Sequence, residues 1–344
     1  MNQKPTDYRS AGVDVEAGEK AVDAIRGIVR TTYNQNVLGD LGSFGGLFKF
    51  DRPDLREPIL VASTDGVGTK LRVAIMAGVY NTVGQDLVNH CVNDILVQGA
   101  LPLFYLDYIG LGKLRSNIVE QVISGMAKAC RENGCALIGG EMAEMPGFYG
   151  NQDFDLAGTI VGVVDRPHLL PGDRINKGDL LVGISSSGLH TNGYSLVRKI
   201  VFDNMGLQVD SFVPELEMTV AEALLAVHRS YLPLMMPHLK HPGLHGLAHI
   251  TGGGIPGNLK RIIPDGLTAY VSYSLEEIPP LFKWLKTAGQ LSRETMLESF
   301  NLGLGLVAVV DPAFGTEFIE ATDSFVIGEI NDSRALSDKV HFIG

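Results

Sequence analysis

The stretch Ser63-Thr64-Asp65-Gly66-Val67-Gly68-Thr69-Lys70 follows an apolar, β-prone run, Ile59 to Ala62. It places a carboxylate, two glycines, hydroxyls and a lysine at the end of a strand. Glycines let a backbone approach a ligand closely, an aspartate can hold Mg²⁺, and a lysine can neutralise phosphate. The inventory suits Mg-ATP, but the order is not that of the usual phosphate loop. Leu71 follows the lysine and offers no hydroxyl for Mg²⁺. An ATP site here belongs to an uncommon class.

Working outward, the first half alternates strands and helices. Pro58 to Ala62 reads as a strand entering the Asp65 loop. From Thr82 to Gln98 apolar residues recur at helical spacing, and Leu101 to Ile109 reads as a strand. Ser116 is the expected N-cap of a helix ending at Gly134. Cys135 to Ile138 is a short strand entering Gly139-Gly140-Glu141, and Leu156 to Val164 another strand. Prolines and glycines between Asp165 and Asp179 mark a connector, so the boundary falls there: an N-terminal domain, 1–165, and a C-terminal α/β domain, 166–344. The second half restarts with a strand at Leu180 to Ile184, a Ser/Gly loop and a helix from about Gly193. A helix near Pro256 to Ile263 and strands at Leu267 to Tyr273, Leu304 to Val310 and Phe325 to Ile330 follow. Gly39 to Gly46 holds four glycines; it is either a mobile flap or a plain turn.

The chain has 344 residues, 45% of them hydrophobic, which favours two domains. Its net charge of −11, from 28 basic and 39 acidic residues, makes nucleic acid or an anionic membrane a poor partner. Glycine is abundant, with 41 residues clustered beside strands. Cys91, Cys130 and Cys135 form no CxxC pair, and Cys91 and Cys130 fall on apolar helical faces as small buried hydrophobes. Met1 to Ser10 lacks an apolar signal core, and no apolar run approaches the ~20 residues that span a bilayer. A soluble cytoplasmic protein is the simplest expectation.

Neither GxxxxGK[ST], GxGxxG, a nucleophile elbow nor a zinc pattern is present. What remains is a set of carboxylates at element ends: Asp65, Asp94 and Glu141. Asp94 follows Asn93 within an otherwise apolar helix, so the face carrying Asn89, Asn93 and Asp94 is expected to point at a site. In the second half, Ser185-Ser186-Ser187-Gly188-Leu189-His190-Thr191-Asn192-Gly193-Tyr194 feeds a helix N-terminus, an anion cradle by construction. A lone histidine is more often structural, but His190 lies among small polar residues. His249-Ile250-Thr251-Gly252-Gly253-Gly254 reads as a second cradle. The glycines of Phe300 to Gly305 serve either a ligand or tight strand packing.

Together with Ala11-Gly12-Val13-Asp14 and Ala143-Glu144-Met145-Pro146-Gly147, these segments stand in an order that resembles the phosphoribosylformylglycinamidine cyclo-ligase (aminoimidazole ribonucleotide synthetase) family, over about residues 8 to 330. Two positions depart from the family pattern: Met142 stands where a threonine is usual, and Leu302 where a cysteine is common. Neither that hydroxyl nor that thiol is essential if the resemblance holds.

The resemblance implies a two-domain α/β (α+β) fold whose N-terminal sheets pair across a homodimer. It implies ATP-dependent closure of formylglycinamidine ribonucleotide to aminoimidazole ribonucleotide, with ADP and phosphate released, in purine biosynthesis. ATP, Mg²⁺ and, as an open question, K⁺ are the implied cofactors. Asp65 and Asp94 are the expected metal ligands. Gly45, Gly46, Asp65, Gly66, Gly68, Thr69, Asn93 and Asp94 are expected at ATP. Ser187, Gly188, Asn192, Thr251, Gly252 and Gly253 are expected at the substrate. Lys70 is expected to offset developing charge, Glu141 to orient a metal or the amidine, and His190 to bond substrate or shuttle a proton. Other ATP-using enzymes of the superfamily are the nearest alternatives. A reactive residue before Cys91, which selenophosphate synthetase wants, is missing, and His249 replaces that branch's usual aspartate. A non-catalytic nucleotide-binding scaffold is the remaining one.

Overall fold

The computed structural model describes Tyr8, residues 11–333 and residues 338–343; apart from Tyr8, the polar Met1–Ser10 segment lies outside them. The first half comprises α1 (Val15–Arg30), β1 (Pro58–Gly66), α2 (Lys70–Ala77), α3 (Asn81–Leu96), β2 (Leu101–Leu111), α4 (Ser116–Glu132), β3 (Ala136–Glu144) and β4 (Phe154–Asp165). Its four strands lie in the order β1-β4-β2-β3. Only β2 and β3 are parallel, joined by the crossover helix α4; the other pairs are antiparallel.

After the connector come β5 (Leu180–Ser185), α5 (Tyr194–Arg198), a small ribbon of β6 (Phe212–Val213) and β7 (Met218–Thr219), α6 (Val220–Leu224) and α7 (Leu232–Met235). They are followed by β8 (Leu244–His249), α8 (Gly254–Leu259), β9 (Leu267–Val271), α9 (Pro280–Gly289), α10 (Arg293–Ser299), β10 (Leu304–Val310), α11 (Pro312–Thr322), β11 (Phe325–Asp332) and β12 (Val340–Phe342). Six of these strands form a second sheet, β12-β9-β11-β5-β10-β8, antiparallel except for β12 on β9. The interior strand β10, between β5 and the edge strand β8, is buried along its whole length. Its unbroken apolar run, Leu304 to Val310, is what a strand covered on both faces requires.

Helix α3 positions the site. Its Val83, Leu87, Val88, Cys91, Val92, Ile95 and Leu96 are buried against β1, β4 and α4. Its Asp86, Asn89 and Asn93 turn toward the second half of the chain. All three cysteines are buried and unpaired.

Several boundaries differ from the sequence reading, each for a local reason. Asp65 lies within β1, opposite Gly158 of β4, because pairing with β4 continues to Gly66. Gly139, Gly140 and Glu141 are not a loop after a short strand: they are paired residues of β3, opposite Leu106, Asp107 and Tyr108. Ser116 is the first helical residue and does not cap α4; Arg115 stands at the cap and makes no side-chain bond there. Among the described residues, no helix is long and apolar enough to cross a membrane.

Candidate active site

Two polar seams meet where α3 faces the loop from Ala226 to Tyr231. The first is a latch. Asp86, Asn89 and Asn93 recur at i, i+3 and i+7, one face of a helix. Asp86 accepts from the His228 N–H at 2.7 Å, and Asn89 donates to the His228 carbonyl at 2.8 Å. Asn93 donates to the Arg229 carbonyl at 2.8 Å and accepts from the Tyr231 N–H at 2.9 Å. The fully buried Lys70 closes the latch: its ammonium lies 2.7 Å from Asp86 and 2.7 Å from the Ala226 carbonyl. Burial lowers the lysine's pKa and raises the aspartate's, while their mutual attraction opposes both shifts.

This placement bears on two expectations. Lys70, expected to offset phosphate charge, has its ammonium fully buried between Asp86 and the Ala226 carbonyl. Asn93 is fully buried and spent on the loop backbone, so it offers nothing to a nucleotide.

The second seam carries the charge. Asp65 lies 2.9 Å from Nε2 of His90, and Asp94 accepts from Ser63 at 2.9 Å and from Nδ1 of His249 at 2.8 Å. Burial opposes ionisation of both carboxyls, but these partners outweigh it and hold both pKa values below the usual carboxylate range. Burial likewise resists protonation of His90, and Asp65 overrides it, raising the imidazole's pKa. The two carboxylates are close enough to repel one another. Thr191 Oγ1 lies 2.8 Å from Nδ1 of His90, and the Nε2 atoms of His228 and His249 are 3.0 Å apart. The bond to Asp94 places a proton on Nδ1 of His249, and Nε2 of His228 also meets the Asn93 amide nitrogen at 3.2 Å.

His190 is fully buried, with φ of 60° and its ring stacked on that of His228 at 3.9 Å. Burial, then the neighbouring basic groups, holds both imidazoles neutral. Its Nε2 meets the Ser187 N–H at 3.3 Å, while Nδ1 is buried with no partner among the described residues. The Asn192 amide nitrogen is likewise buried and unpartnered, and its oxygen lies beside Gly252. These two buried polar atoms flank the two Ser/Gly loops, where a polar group could pair with them.

The other sequence-marked residues fall around this seam. Thr69 Oγ1 meets Ser195 Oγ at 3.1 Å, tying the loop that holds Gly66 and Gly68 to α5. Ser187 donates to the Val227 carbonyl. With Gly188 it lines a cavity of about 550 Å³, walled also by Pro214–Met218 and Pro279–Phe282. Asn258 gathers the carbonyls of Thr251, Gly252 and Gly254, shaping the turn through Gly253. The Phe300–Gly305 glycines serve packing: a Cβ at Gly305 would lie 1.9 Å from the Tyr231 hydroxyl and 2.5 Å from His190. Leu302 is buried in a left-handed turn.

Glu141 is not part of this cluster. It lies on β3, three strands from β1 in the sheet order, a distance of roughly 14 Å at about 4.8 Å per strand. It borders a second cavity, of about 490 Å³, shared with Met142 and the loop that carries Gly45 and Gly46. His90, His228 and Asp86 were missed by the sequence reading. Asp86, Asn89, His90 and Asn93 carry a legible signal, a polar stripe at helical spacing; His228 lies in a segment with none.

With this geometry in place, comparison with known proteins defines the class first. Residues 54–164 match the N-terminal domain of the AIR synthase related proteins, and residues 176–341 match their C-terminal domain. The fold is shared with thiamine-monophosphate kinase from Stenotrophomonas maltophilia K279a, at 18% identity and a TM-score of 0.67 over 93% of this chain and 96% of that one. A hydrogenase maturation protein HypE solved in complex with ATP has 19% identity and a TM-score of 0.66, over 97% of this chain and 93% of that one. Within that class, the phosphoribosylformylglycinamidine cyclo-ligase of Geobacter sulfurreducens is 47% identical over the full length of both chains. That of Desulfatibacillum aliphaticivorans is 47% identical over 96% of this chain and 98% of its own. The chain belongs to the phosphoribosylformylglycinamidine cyclo-ligase family.

Proposed function

We propose that this chain closes formylglycinamidine ribonucleotide to aminoimidazole ribonucleotide at the expense of ATP, the ring-closing step of purine biosynthesis. ATP phosphorylates the formyl oxygen, an amidine nitrogen attacks the same carbon, and phosphate leaves with that oxygen. Such chemistry asks for positioning and charge neutralisation more than for a protein nucleophile.

The observation that carries this reading is the pair Asp65 and Asp94. Two adjacent carboxylates from different elements are held ionised by buried histidines, at the seam where the Ser/Gly loops meet the strand β1. A hard divalent cation fits such an all-oxygen pair. Asp65 and Asp94 would hold Mg²⁺, which supplies charge neutralisation at the ATP phosphates when bound. His190, neutral and with one ring nitrogen open, is placed to hydrogen-bond the substrate. Ser187, Gly188 and Asn192, with the Thr251–Gly253 turn, form the proposed cradle for its phosphate. Gly45, Gly46, Gly66, Gly68, Thr69 and Glu141 are retained on the ATP side. Lys70 and Asn93 move to a supporting role, since both shape the loop that presents His228.

We further propose a cytoplasmic homodimer, with residues 1–165 as its ATP-binding and dimerising part. The sheet face opposite α3 and α4 supports it: Leu60 is exposed there and Phe104, Leu106 and Val161 are only half-buried. The test of the activity is incubation with ATP, Mg²⁺ and formylglycinamidine ribonucleotide. The expected result is one aminoimidazole ribonucleotide and one phosphate per ADP; ATP bound without product would favour the non-catalytic scaffold.

A further inference from the structure

Three buried imidazoles, His190, His228 and His249, meet in the seam, and one ring nitrogen of each lies within 4.8 Å of the others. They come from three separate segments: the Ser/Gly loop before α5, the loop between α6 and α7, and the end of β8. The reaction proposed above gives His228 no task.

The hydrogen bonds show where the lone pairs point. Asp94 accepts from Nδ1 of His249 at 2.8 Å, so in the neutral ring Nε2 carries the lone pair. The backbone orients the Asn93 amide: its oxygen accepts from the Tyr231 N–H at 2.9 Å, and its nitrogen donates to the Arg229 carbonyl at 2.8 Å. The same nitrogen meets Nε2 of His228 at 3.2 Å, which makes that ring atom an acceptor as well. Two Nε2 lone pairs therefore face each other at 3.0 Å. The ring centroids are 5.1 Å apart, so the rings turn these edges toward one another. Such a pair repels unless a cation stands between its members. A tetrahedral ion with metal–nitrogen bonds of about 2.0–2.1 Å sets its nitrogens roughly 3.3 Å apart, close to the spacing already present.

Two further features fit a metal. Nδ1 of His190 is buried with no partner among the described residues, and that ring stacks on His228 at 3.9 Å. Stacked rings point their lone pairs side by side, so His190 must tilt out of the stack to share an ion with the other two. Asp94 on Nδ1 of His249 is also the carboxylate–histidine arrangement that fixes the tautomer of a metal-binding ring.

We propose that His228 and His249, completed by His190, bind a transition cation of the Zn²⁺ class. Three neutral imidazole nitrogens suit such an ion, whereas Mg²⁺ prefers oxygen. The ion would take the His228 lone pair from Asn93, which keeps its two backbone bonds. It would also withdraw His190 from the substrate, so bound Zn²⁺ inhibits ring closure. That consequence rests on the proposed reaction; the binding does not.

The test is calorimetric titration of Zn²⁺ into full-length, chelator-treated protein in excess Mg²⁺. The expected result is tight uptake of one Zn²⁺ per chain. His228→Gln is expected to weaken it by roughly 100-fold or more, since even the outer partners of metal-bound histidines are worth about 10–100-fold. In a crystal soaked in Zn²⁺, the anomalous peak is expected between Nε2 of His228 and Nε2 of His249, a reading that needs no variant to fold. The proposal is overturned if wild type takes up no Zn²⁺ in excess Mg²⁺, or if His228→Gln binds it as tightly as wild type. It is equally overturned if the peak lies on other histidines or on the Asp65 carboxylate. Neither reading needs turnover, so a protein that binds Zn²⁺ here and forms no aminoimidazole ribonucleotide supports the site and counts against the proposed reaction alone.

Discussion

The seam between α3 and the second sheet and the cavity at the edge of β3 solve opposite problems with the same residue types. At the seam every carboxylate arrives with partners: Asp86 with Lys70, Asp65 with His90, Asp94 with His249 and Ser63. At the cavity Asp107 has only its own backbone N–H and aliphatic walls. The difference teaches how environment divides one residue type: the seam's Asp65 and Asp94 are held ionised by their partners, whereas burial pushes the Asp107 carboxyl toward its neutral form.

Breaking the seam at its most buried pair should have the largest effect. Lys70→Met leaves Asp86 charged, buried and unpaired, and is expected to cost about 3–5 kcal/mol in chemical denaturation. Lys70→Met with Asp86→Leu should recover much of that stability. If Lys70→Met left stability untouched while abolishing turnover, the lysine would be a catalytic group after all.

The cavity predicts the opposite sign with pH. Asp107 titrates at about 7 in the folded chain against 3.8 unfolded. The folded state therefore binds more protons between those values. Its contribution to stability is full below about pH 4 and is lost as pH rises through 7, by up to ~4 kcal/mol. The difference in unfolding free energy between wild type and Asp107→Asn, followed from pH 4 to 8, should show this fall. A constant difference would place the carboxyl in a more polar setting than the cavity provides.

A milder way to sharpen the contrast is Asp65→Asn. It keeps the shape and removes one of the two charges, and is expected to lower kcat by roughly 100-fold with the melting temperature held within a few degrees. The smallest effects belong to the loop. Gly45→Ala meets no atom within 4 Å and should leave the melting temperature unchanged, whereas Gly46→Ala strikes Ile138 and should open the loop to limited proteolysis. Equal behaviour of the two variants would mean that the loop does not pack on β3.

Much of this was legible in the sequence because backbone periodicity and glycine punctuation are local. The strand before Asp65, the apolar repeat of α3, the run Leu304 to Val310 and the connector after Asp165 all carry their reason within a few residues. Asp65 and Asp94 were legible as candidates because a carboxylate at a strand end or amid apolar neighbours is costly without a purpose. Their partners were not. His90 acquires meaning only when α3 meets Asp65 of β1, and His249 only when α3 and β8 meet, 155 residues apart for the Asp94–His249 bond. The setting of Lys70 was hidden for the same reason. A lysine beside glycines looks like a phosphate ligand until the fold supplies Asp86 and the Ala226 carbonyl. Gly139 and Gly140 read as residues following a short strand, but parallel pairing with β2 makes them strand residues, and the small size of Gly140 makes room for Asp107.

The central claim is that the Asp65–Asp94 pair, not Lys70, carries the charge chemistry of an ATP-driven ring closure. Its most direct test is the rate of ADP and aminoimidazole ribonucleotide formation by folded Asp94→Asn protein at saturating substrates. The isosteric amide removes the charge and keeps one acceptor oxygen, for His249, while its NH2 faces Ser63, whose hydroxyl can accept. The account predicts that both products fall together by about 100- to 1,000-fold, with the fold intact by circular dichroism. Turnover at the wild-type rate would contradict it.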